Sequence, residues 1–168
     1  MSTMYITPER DEQVDFVPYL SVATGLAVAA GNPEEIAALE DLCGLAVSVQ
    51  QATIHEDELD GLNEDQCADN PVEVVLFDDQ RLVTQELADG NVDAMMADLP
   101  VILDAASMFP DAIEASEYSE PLAPKGIAYV TDSPLGEALQ AAFDAVVEDG
   151  TYQALLEEYG LEGDALVE

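Results

Sequence analysis

The sequence predicts an α/β fold organised around a mainly parallel β-sheet. Short apolar runs of strand length alternate along the chain with segments whose apolar residues recur at helical spacing. Hydrophobic residues make up 49% of the 168 residues and the mean hydropathy is +0.07, so the chain has ample material for a core. A chain of this length forms one domain or two small ones.

The predicted strands are apolar runs bounded by turn-forming or polar residues. In chain order they span residues 25–30, 44–49, 72–77, 92–97 and 126–131. The predicted helices between them span residues 34–42, a segment entered at the turn 50–55 and running through 60, residues 78–90, and a segment beginning at Pro100. Two helices close the chain at 133–150 and 151–160, and the first has an apolar stripe of Leu135, Leu139, Phe143 and Val146.

The chain is extremely acidic. It carries 37 Asp and Glu residues against three basic residues, Arg10, Arg81 and Lys125, for a formal net charge of −34. Three cations cannot build a phosphate-tracking surface, so the composition excludes nucleic-acid binding. Two explanations remain for the charge: a cationic partner, or a solvated surface suited to high salt, where ions screen the self-repulsion. The scarcity of lysine beside abundant Asp and Glu favours the high-salt explanation.

The thiols and the single histidine do not form a recognisable catalytic or metal motif. Cys43 and Cys67 are either joined in a disulfide or buried as free thiols. With His55 they cannot complete a zinc site unless carboxylates add ligands, so we expect no metal. The acidic run from Glu56 fails the calcium-loop pattern, because its twelfth position is Cys67 rather than a glutamate. Glycine-rich nucleotide-binding motifs are not found, and we expect no cofactor.

Motifs near both ends of the sequence carry a family resemblance. The run Tyr5-Ile-Thr-Pro-Glu-Arg10 is followed by Val14-Asp-Phe-Val-Pro-Tyr19, and the last motif is Gly150-Thr-Tyr-Gln-Ala-Leu-Leu-Glu-Glu-Tyr-Gly160. These motifs resemble the bacterial solute-binding proteins of family 3, which bind polar amino acids for ABC importers. The resemblance implies a periplasmic-binding-protein-like type II fold, with one complete three-layer lobe plus part of a second.

The resemblance also implies a domain organisation. Residues 23–131 match a complete lobe two, and residues 1–22 and 132–168 match the remaining parts of lobe one. In the family the opening motif lies well inside the chain, whereas here it begins at residue 5. We therefore expect an N-terminally truncated lobe one, and the apolar surface left by its incompleteness would favour self-association.

The resemblance favours the disulfide between Cys43 and Cys67, because relatives carry cysteines at the matching places. A disulfide implies an exported protein, extracellular or periplasmic and in some cases membrane-anchored. The opening Met1-Ser-Thr-Met has no signal-peptide pattern, and no segment of the sequence has the pattern of a membrane-spanning helix.

The resemblance assigns five ligand contacts. It places Arg10 on the α-carboxylate of an amino acid, where its planar fork suits a bidentate contact, and Asp98 on the α-ammonium group. The turn containing Gln50 and Thr53 would hold the same carboxylate at a helix N-terminus, and Thr3 would add a further contact. Purely structural alternatives are a surface ion pair for Arg10 and helix N-caps for Thr53 and Asp98.

The turn departs from the family pattern at three positions. Ala52, Ile54 and His55 stand where glycine, threonine and glutamine are common. Ala52 would narrow the approach of a ligand, and Ile54 removes a hydroxyl group. We expect His55 to be a core or surface residue. The aromatic residue that stacks on the ligand comes from the missing first strand, so the ligand's side chain is not predicted.

The resulting hypothesis is a non-enzymatic protein that holds an amino acid between two lobes for an ABC importer. We expect the chain by itself to bind amino acids weakly or not detectably, because the facing wall of the cleft is missing. The alternatives are an enzyme on the same scaffold, similar to some dehydratases, and a stand-alone sensor or interaction domain. An enzyme would turn over a cyclic carboxylate substrate, and an interaction domain would form a stable dimer.

The high-salt explanation of the charge is testable. Self-repulsion among the carboxylates is screened by salt, so the melting temperature should rise from dilute buffer to molar KCl. Thermal unfolding followed by circular dichroism in a KCl series measures this directly. A melting temperature indifferent to salt would contradict the explanation.

Overall fold

The computed structural model describes residues 2–161, 163 and 165, and these divide into two compact units. Unit 2 is the continuous stretch Ala23–Pro121, and unit 1 combines the residues up to Val22 with those from Leu122 onward. The chain therefore leaves unit 1 once and returns to it once.

Strands and helices alternate along the described residues. The strands are β1 (Ser2–Tyr5), β2 (Val14–Val22), β3 (Thr24–Ala29), β4 (Ala46–Gln50), β5 (Glu73–Phe77), β6 (Ala94–Asp98), β7 (Ile113–Ser119) and β8 (Ala123–Val130). The helices are α1 (Pro8–Asp11), α2 (Ile54–Glu64), α3 (Gln80–Ala88), α4 (Leu99–Met108), α5 (Leu135–Glu148) and α6 (Thr151–Tyr159).

Unit 2 contains a five-stranded mixed sheet in the order β5-β4-β6-β3-β7. Strand β4 is parallel to β5 and β6, whereas β3 is antiparallel to β6 and β7. The prediction of a mainly parallel sheet is therefore correct for only half of it. Strand β7 was not predicted, because its sequence is largely polar at the sheet edge and only Ile113 is fully buried.

The sheet of unit 2 is buried on both faces. On one face Leu26 of β3 and Met96 of β6 pack with Leu59 of α2. On the other face the neighbouring residues Ala27 and Met95 pack against α3 and α4. Because successive strand residues point to opposite faces, both-sided burial requires continuous apolar runs. This three-layer arrangement explains why the central strands were readable from the sequence.

The helix predicted at residues 34–42 is wrong except at its end, where a 3₁₀ turn spans Leu39–Leu42. Asn32 and Glu35 adopt left-handed backbone conformations, with φ of 42° and 55°. The Asn32 side chain accepts from the Ile36 amide at 2.9 Å and donates to the Ile36 carbonyl at 3.0 Å. These local hydrogen bonds compete with helical ones and fix a turn instead.

Unit 1 contains a three-stranded antiparallel sheet in the order β1-β8-β2. Residues 122–131, which we predicted to be part of lobe two, lie in this unit because β8 pairs with both β1 and β2. Helix α5 packs on β2, but Leu135 and Val146 of its predicted stripe are 42% and 36% exposed. Tyr152 of α6 closes the packing by donating to the Tyr19 carbonyl at 2.5 Å.

The predicted disulfide is confirmed. Cys43 and Cys67 are bonded, with their Cα atoms 5.2 Å apart. The bond joins the end of the 3₁₀ turn to the segment after α2. Cys67 is fully buried in the core of unit 2 that contains Leu26 and Leu59.

Replacing both cysteines with serine should lower the free energy of unfolding by about 3 kcal/mol. The disulfide joins residues 24 apart in the sequence, and without it the unfolded chain is no longer restricted by that closed loop. Urea unfolding of the Cys43→Ser/Cys67→Ser variant beside the oxidised protein measures the difference. Equal stability of the two proteins would show that the bond does not stabilise the fold.

Candidate functional site

Three polar side chains from three elements meet in unit 2. His55 is 6% exposed, and its Nε2 lies 3.2 Å from Oδ1 of Asp98. Its Nδ1 lies 3.4 Å from Oγ1 of Thr24, which is itself 2% exposed. We call Thr24, His55 and Asp98 the histidine cluster.

Sheet topology explains why these residues meet. Asp98 ends β6, and in the antiparallel pair it lies directly opposite Thr24, the first residue of β3. Helix α2 follows β4, which runs parallel to β6 on its other side, so the start of α2 lies at the carboxyl end of both strands. His55 occupies the first turn of that helix. Carboxyl edges of open α/β sheets are where ligands bind in such folds.

The chemistry of the partners fixes the proton on the neutral imidazole. The Asp98 carboxylate can only accept, so Nε2 of His55 must carry the hydrogen and donate it. Nδ1 is then an acceptor, and the Thr24 hydroxyl can donate to it. The Asp98 side chain remains 19% exposed. The histidine cluster therefore presents a hydrogen-bonded carboxylate at the edge of the sheet.

The turn before α2 is built around its own carboxylate. Thr53 is the N-cap: its hydroxyl oxygen accepts from the Glu56 amide at 3.4 Å and donates to the Gln50 carbonyl at 2.7 Å. Ala52 is in the left-handed region at φ 58°, and its amide donates to Glu56 Oε2 at 2.5 Å. The Gln50 side chain donates to the Asp78 carbonyl at 3.2 Å. The N-cap alternative for Thr53 is thus realised, and a turn amide already holds a carboxylate.

Unit 1 carries the other two predicted contacts. Arg10 is half-buried on α1, and its Nη1 donates to the Tyr5 carbonyl at 3.2 Å. Nζ of Lys125 lies 4.7 Å from the centroid of the Tyr5 ring. Arg10 forms no ion pair with another described residue, so the surface-ion-pair alternative is not realised there. Thr3 is exposed on β1 opposite Ile127.

Two partly buried glutamates, Glu58 and Glu120, lie close to each other beside the histidine cluster. Burial, followed by the hydrogen bond to Glu120 and that residue's charge, raises the pKa of Glu58 to about 8. Tyr118 donates to Glu120 Oε1 at 3.2 Å, and burial together with the charge of Glu120 raises the pKa of Tyr118. The Glu120 amide donates to the Thr24 carbonyl at 2.9 Å. Nothing in the sequence singles out this pair, because the chain contains 37 carboxylates.

The predicted ligand contacts divide between the two units. Gln50, Thr53 and Asp98 lie in unit 2, and Thr3 and Arg10 lie in unit 1. Asp98 occupies the N-cap position of α4 without a side-chain capping bond. Reasoning from the sequence left the place of His55 open between core and surface and missed its contact with Asp98; the residue is buried. The signal available was that the chain's single histidine directly follows the predicted ligand turn.

A second concavity lies on the surface of unit 2. Helices α3 and α4 enclose a groove of about 280 Å³ with a mainly apolar lining that includes Val101, Met108 and Phe109. It contains none of the predicted site residues. The described residues contain no group of three or more potential metal-ligating side chains. In the same part of the chain, no helix is both long and apolar enough to traverse a bilayer.

Comparison with known proteins identifies one family. Residues 1–162 match the bacterial extracellular solute-binding proteins, family 3. The arginine-binding protein ArgT of Corynebacterium glutamicum is 31% identical over 95% of this chain and 53% of its own length. The histidine-binding periplasmic protein of Escherichia coli is 28% identical over 95% of this chain and 63% of its own length. The chain thus spans little more than half the length of these relatives.

Solved structures agree with this match. An ancestral arginine-binding protein bound to arginine is 31% identical with a TM-score of 0.78, over 93% of this chain and 68% of that one. A mutant of ArgBP from T. maritima is 26% identical with a TM-score of 0.82, over 93% and 66% of the two chains. The fold is therefore α/β of the periplasmic-binding-protein-like type II, as predicted, and the chain covers part of it.

The raised pKa of Glu58 makes the stability of the fold depend on pH. The folded pKa of about 8 exceeds the ordinary value of 4.5, so the folded state keeps a proton that the unfolded state loses between those values. Glu58 therefore stabilises the folded state fully below pH 4.5, and this stabilisation is lost as the pH rises through about 8. Stability should fall with pH by less than about 1.4 kcal/mol per unit, since solvent reaches part of the group.

Glu58→Gln keeps a neutral hydrogen-bonding group and should flatten this dependence, so that the variant gains stability relative to the wild type as pH rises. Urea unfolding from about pH 5 to about pH 8 at constant salt measures it. Glu64→Gln, at the exposed end of the same helix, is the matched control and should leave the slope unchanged. Parallel slopes for the wild type and Glu58→Gln would contradict the assignment.

Proposed function

The chain belongs to the bacterial extracellular solute-binding proteins of family 3, and on that basis we propose that it binds an L-α-amino acid for ABC-type import. The observation that carries the proposal is the Asp98 carboxylate, held by His55 at the carboxyl edge of the sheet and still partly exposed. An anion in this position suits an ammonium group.

Each predicted contact suits one group of an amino acid by its own chemistry. Arg10 would take the α-carboxylate, because its planar guanidinium carries five donors, one of which contacts the Tyr5 carbonyl. Asp98 of unit 2 would take the α-ammonium. The turn at Thr53 would add to the carboxylate contact, with the ligand carboxylate displacing Glu56 from the Ala52 amide. Thr3 and Gln50 are proposed as accessory polar contacts.

The two units would correspond to the lobes of the family fold. In unit 2 the sheet is covered on both faces, in a three-layer arrangement, which supports the assignment of unit 2 as a complete lobe two. Unit 1 would be the remaining part of lobe one. The chain covers 53% and 63% of the lengths of two matched relatives.

The relatives guide the choice of ligand to test. Two of them are named for arginine and histidine, and a third is the L-cystine-binding protein TcyJ of Escherichia coli, 29% identical over 92% of this chain and 56% of its own length. A net charge of −34 attracts cationic solutes, which places arginine at the head of the panel, and histidine follows it because a relative is named for it. Family members are extracellular, so the natural partners would be the membrane subunits of an ABC importer.

An enzymatic function is the alternative that has a supporting observation. An ancestral amino-acid-binding protein described as a precursor of cyclohexadienyl dehydratase is 28% identical with a TM-score of 0.78, over 93% of this chain and 66% of that one. Glu58 would remain protonated at neutral pH, as a general acid must. Turnover of a cyclic carboxylate that Glu58→Gln abolishes would favour the enzyme. Binding without turnover favours the transport function.

Amino-acid binding is tested by titration at ligand concentrations that reach millimolar dissociation constants, because we expect weak affinity. Arginine or histidine should bind, and Asp98→Asn should weaken binding about tenfold or more by removing the ammonium partner. Asp60→Asn, on the exposed side of α2, removes the same charge and should bind like the wild type. The sequence alone left weak and undetectable binding both open, whereas this proposal requires measurable binding, so no binding by any α-amino acid, or unchanged binding by Asp98→Asn, would overturn it.

A further inference from the structure

In the histidine cluster, both ring nitrogens of the buried His55 have polar partners. An imidazole 94% removed from solvent needs hydrogen-bond partners for both ring nitrogens, and the structure places Thr24 and Asp98 beside them. The three groups come from separate elements of the fold, so the arrangement is set by the sheet and by the start of α2. It is not a local turn.

The direction of the hydrogen bonds follows from the donor inventory. Thr24 donates to Nδ1, and Nε2 donates to Asp98, so a chain of two bonds runs from the start of β3 to the carboxylate. In this tautomer the Nε2 proton lies between the ring and the Asp98 carboxylate, which accepts it in a hydrogen bond.

We propose that His55 is a positioning residue for amino-acid recognition: oriented by Thr24, it fixes the Asp98 carboxylate toward the ligand's ammonium group. The recognition part of this inference rests on the proposed function, whereas the hydrogen-bonded chain stands without it. His55 touches the carboxylate and acts on the ligand through it.

The hydrogen-bonded chain is tested without any ligand. The sequence holds a single histidine, so long-range ¹H–¹⁵N spectra show one pair of ring-nitrogen signals. The neutral ring should carry its proton on Nε2, and Thr24→Val and Asp98→Ala should each shift it toward a mixture of the two tautomers. A proton on Nδ1 in the wild type, or a tautomer unchanged in both variants, would overturn the positioning role.

Recognition is tested with arginine and histidine by titration of His55→Leu and His55→Gln, after circular dichroism confirms that both are folded. His55→Leu should weaken binding about tenfold or more, because the carboxylate loses its holder. His55→Gln retains a donor and should recover most of the affinity. Leu62→Val, a buried change on the same helix, controls for general destabilisation and should bind like the wild type.

The outcomes separate this inference from the proposed function. If the wild type binds and His55→Leu binds equally well, the positioning role is wrong and the binding function stands. If the wild type binds no amino acid, the binding function is wrong and the recognition part falls with it. The ring spectra then decide whether His55 still holds Asp98.

Discussion

The pairing of β6 with two different neighbours is the constraint on which the site depends. Its parallel partner β4 delivers the start of α2 to the carboxyl end of the sheet. Its antiparallel partner β3 places Thr24 directly opposite Asp98. A shift of one residue in either register would turn Asp98 to the other face and separate it from His55. Registers this strict persist because both faces of the sheet are buried.

Charged side chains lie mostly on the surface of the protein, and its interior is mostly apolar. The interior of unit 2 is apolar, and its most buried polar side chains include Thr24 and His55, two members of the histidine cluster. The carboxylates lie mostly on the surface, where water and ions solvate them. In such a protein the position of a single carboxylate carries little information by itself. What distinguishes Asp98 is that a buried imidazole holds it.

The sequence was most informative where a segment is buried on both sides. The runs that became β4 and β6 are continuous and apolar, and they were predicted within a few residues. Strand β7 was missed because edge pairing requires no such run. The segment after Asn32 was misjudged because a side-chain hydrogen bond decided between helix and turn. The boundary near residue 131 was misplaced because pairing of β8 with β1 and β2 is a long-range choice that local pattern does not encode.

The site shows the same division between local and long-range information. Arg10, Thr53 and Asp98 were predicted as ligand contacts through a family resemblance, and the Thr53 cap follows from its local sequence. The contact between His55 and Asp98 spans 43 residues and depends on the sheet order, so no local pattern predicts it. Glu58 and Glu120 lie even further apart in the sequence. Their coupling became visible only when the fold brought α2 and the end of β7 together.

An experimental structure with a bound amino acid tests the central claim most directly. The account predicts the ligand's ammonium group within hydrogen-bonding distance of the Asp98 carboxylate, with Nε2 of His55 still donating to Oδ1. An amino acid bound away from Asp98, or an Asp98 carboxylate turned away from His55 in the bound state, would contradict it.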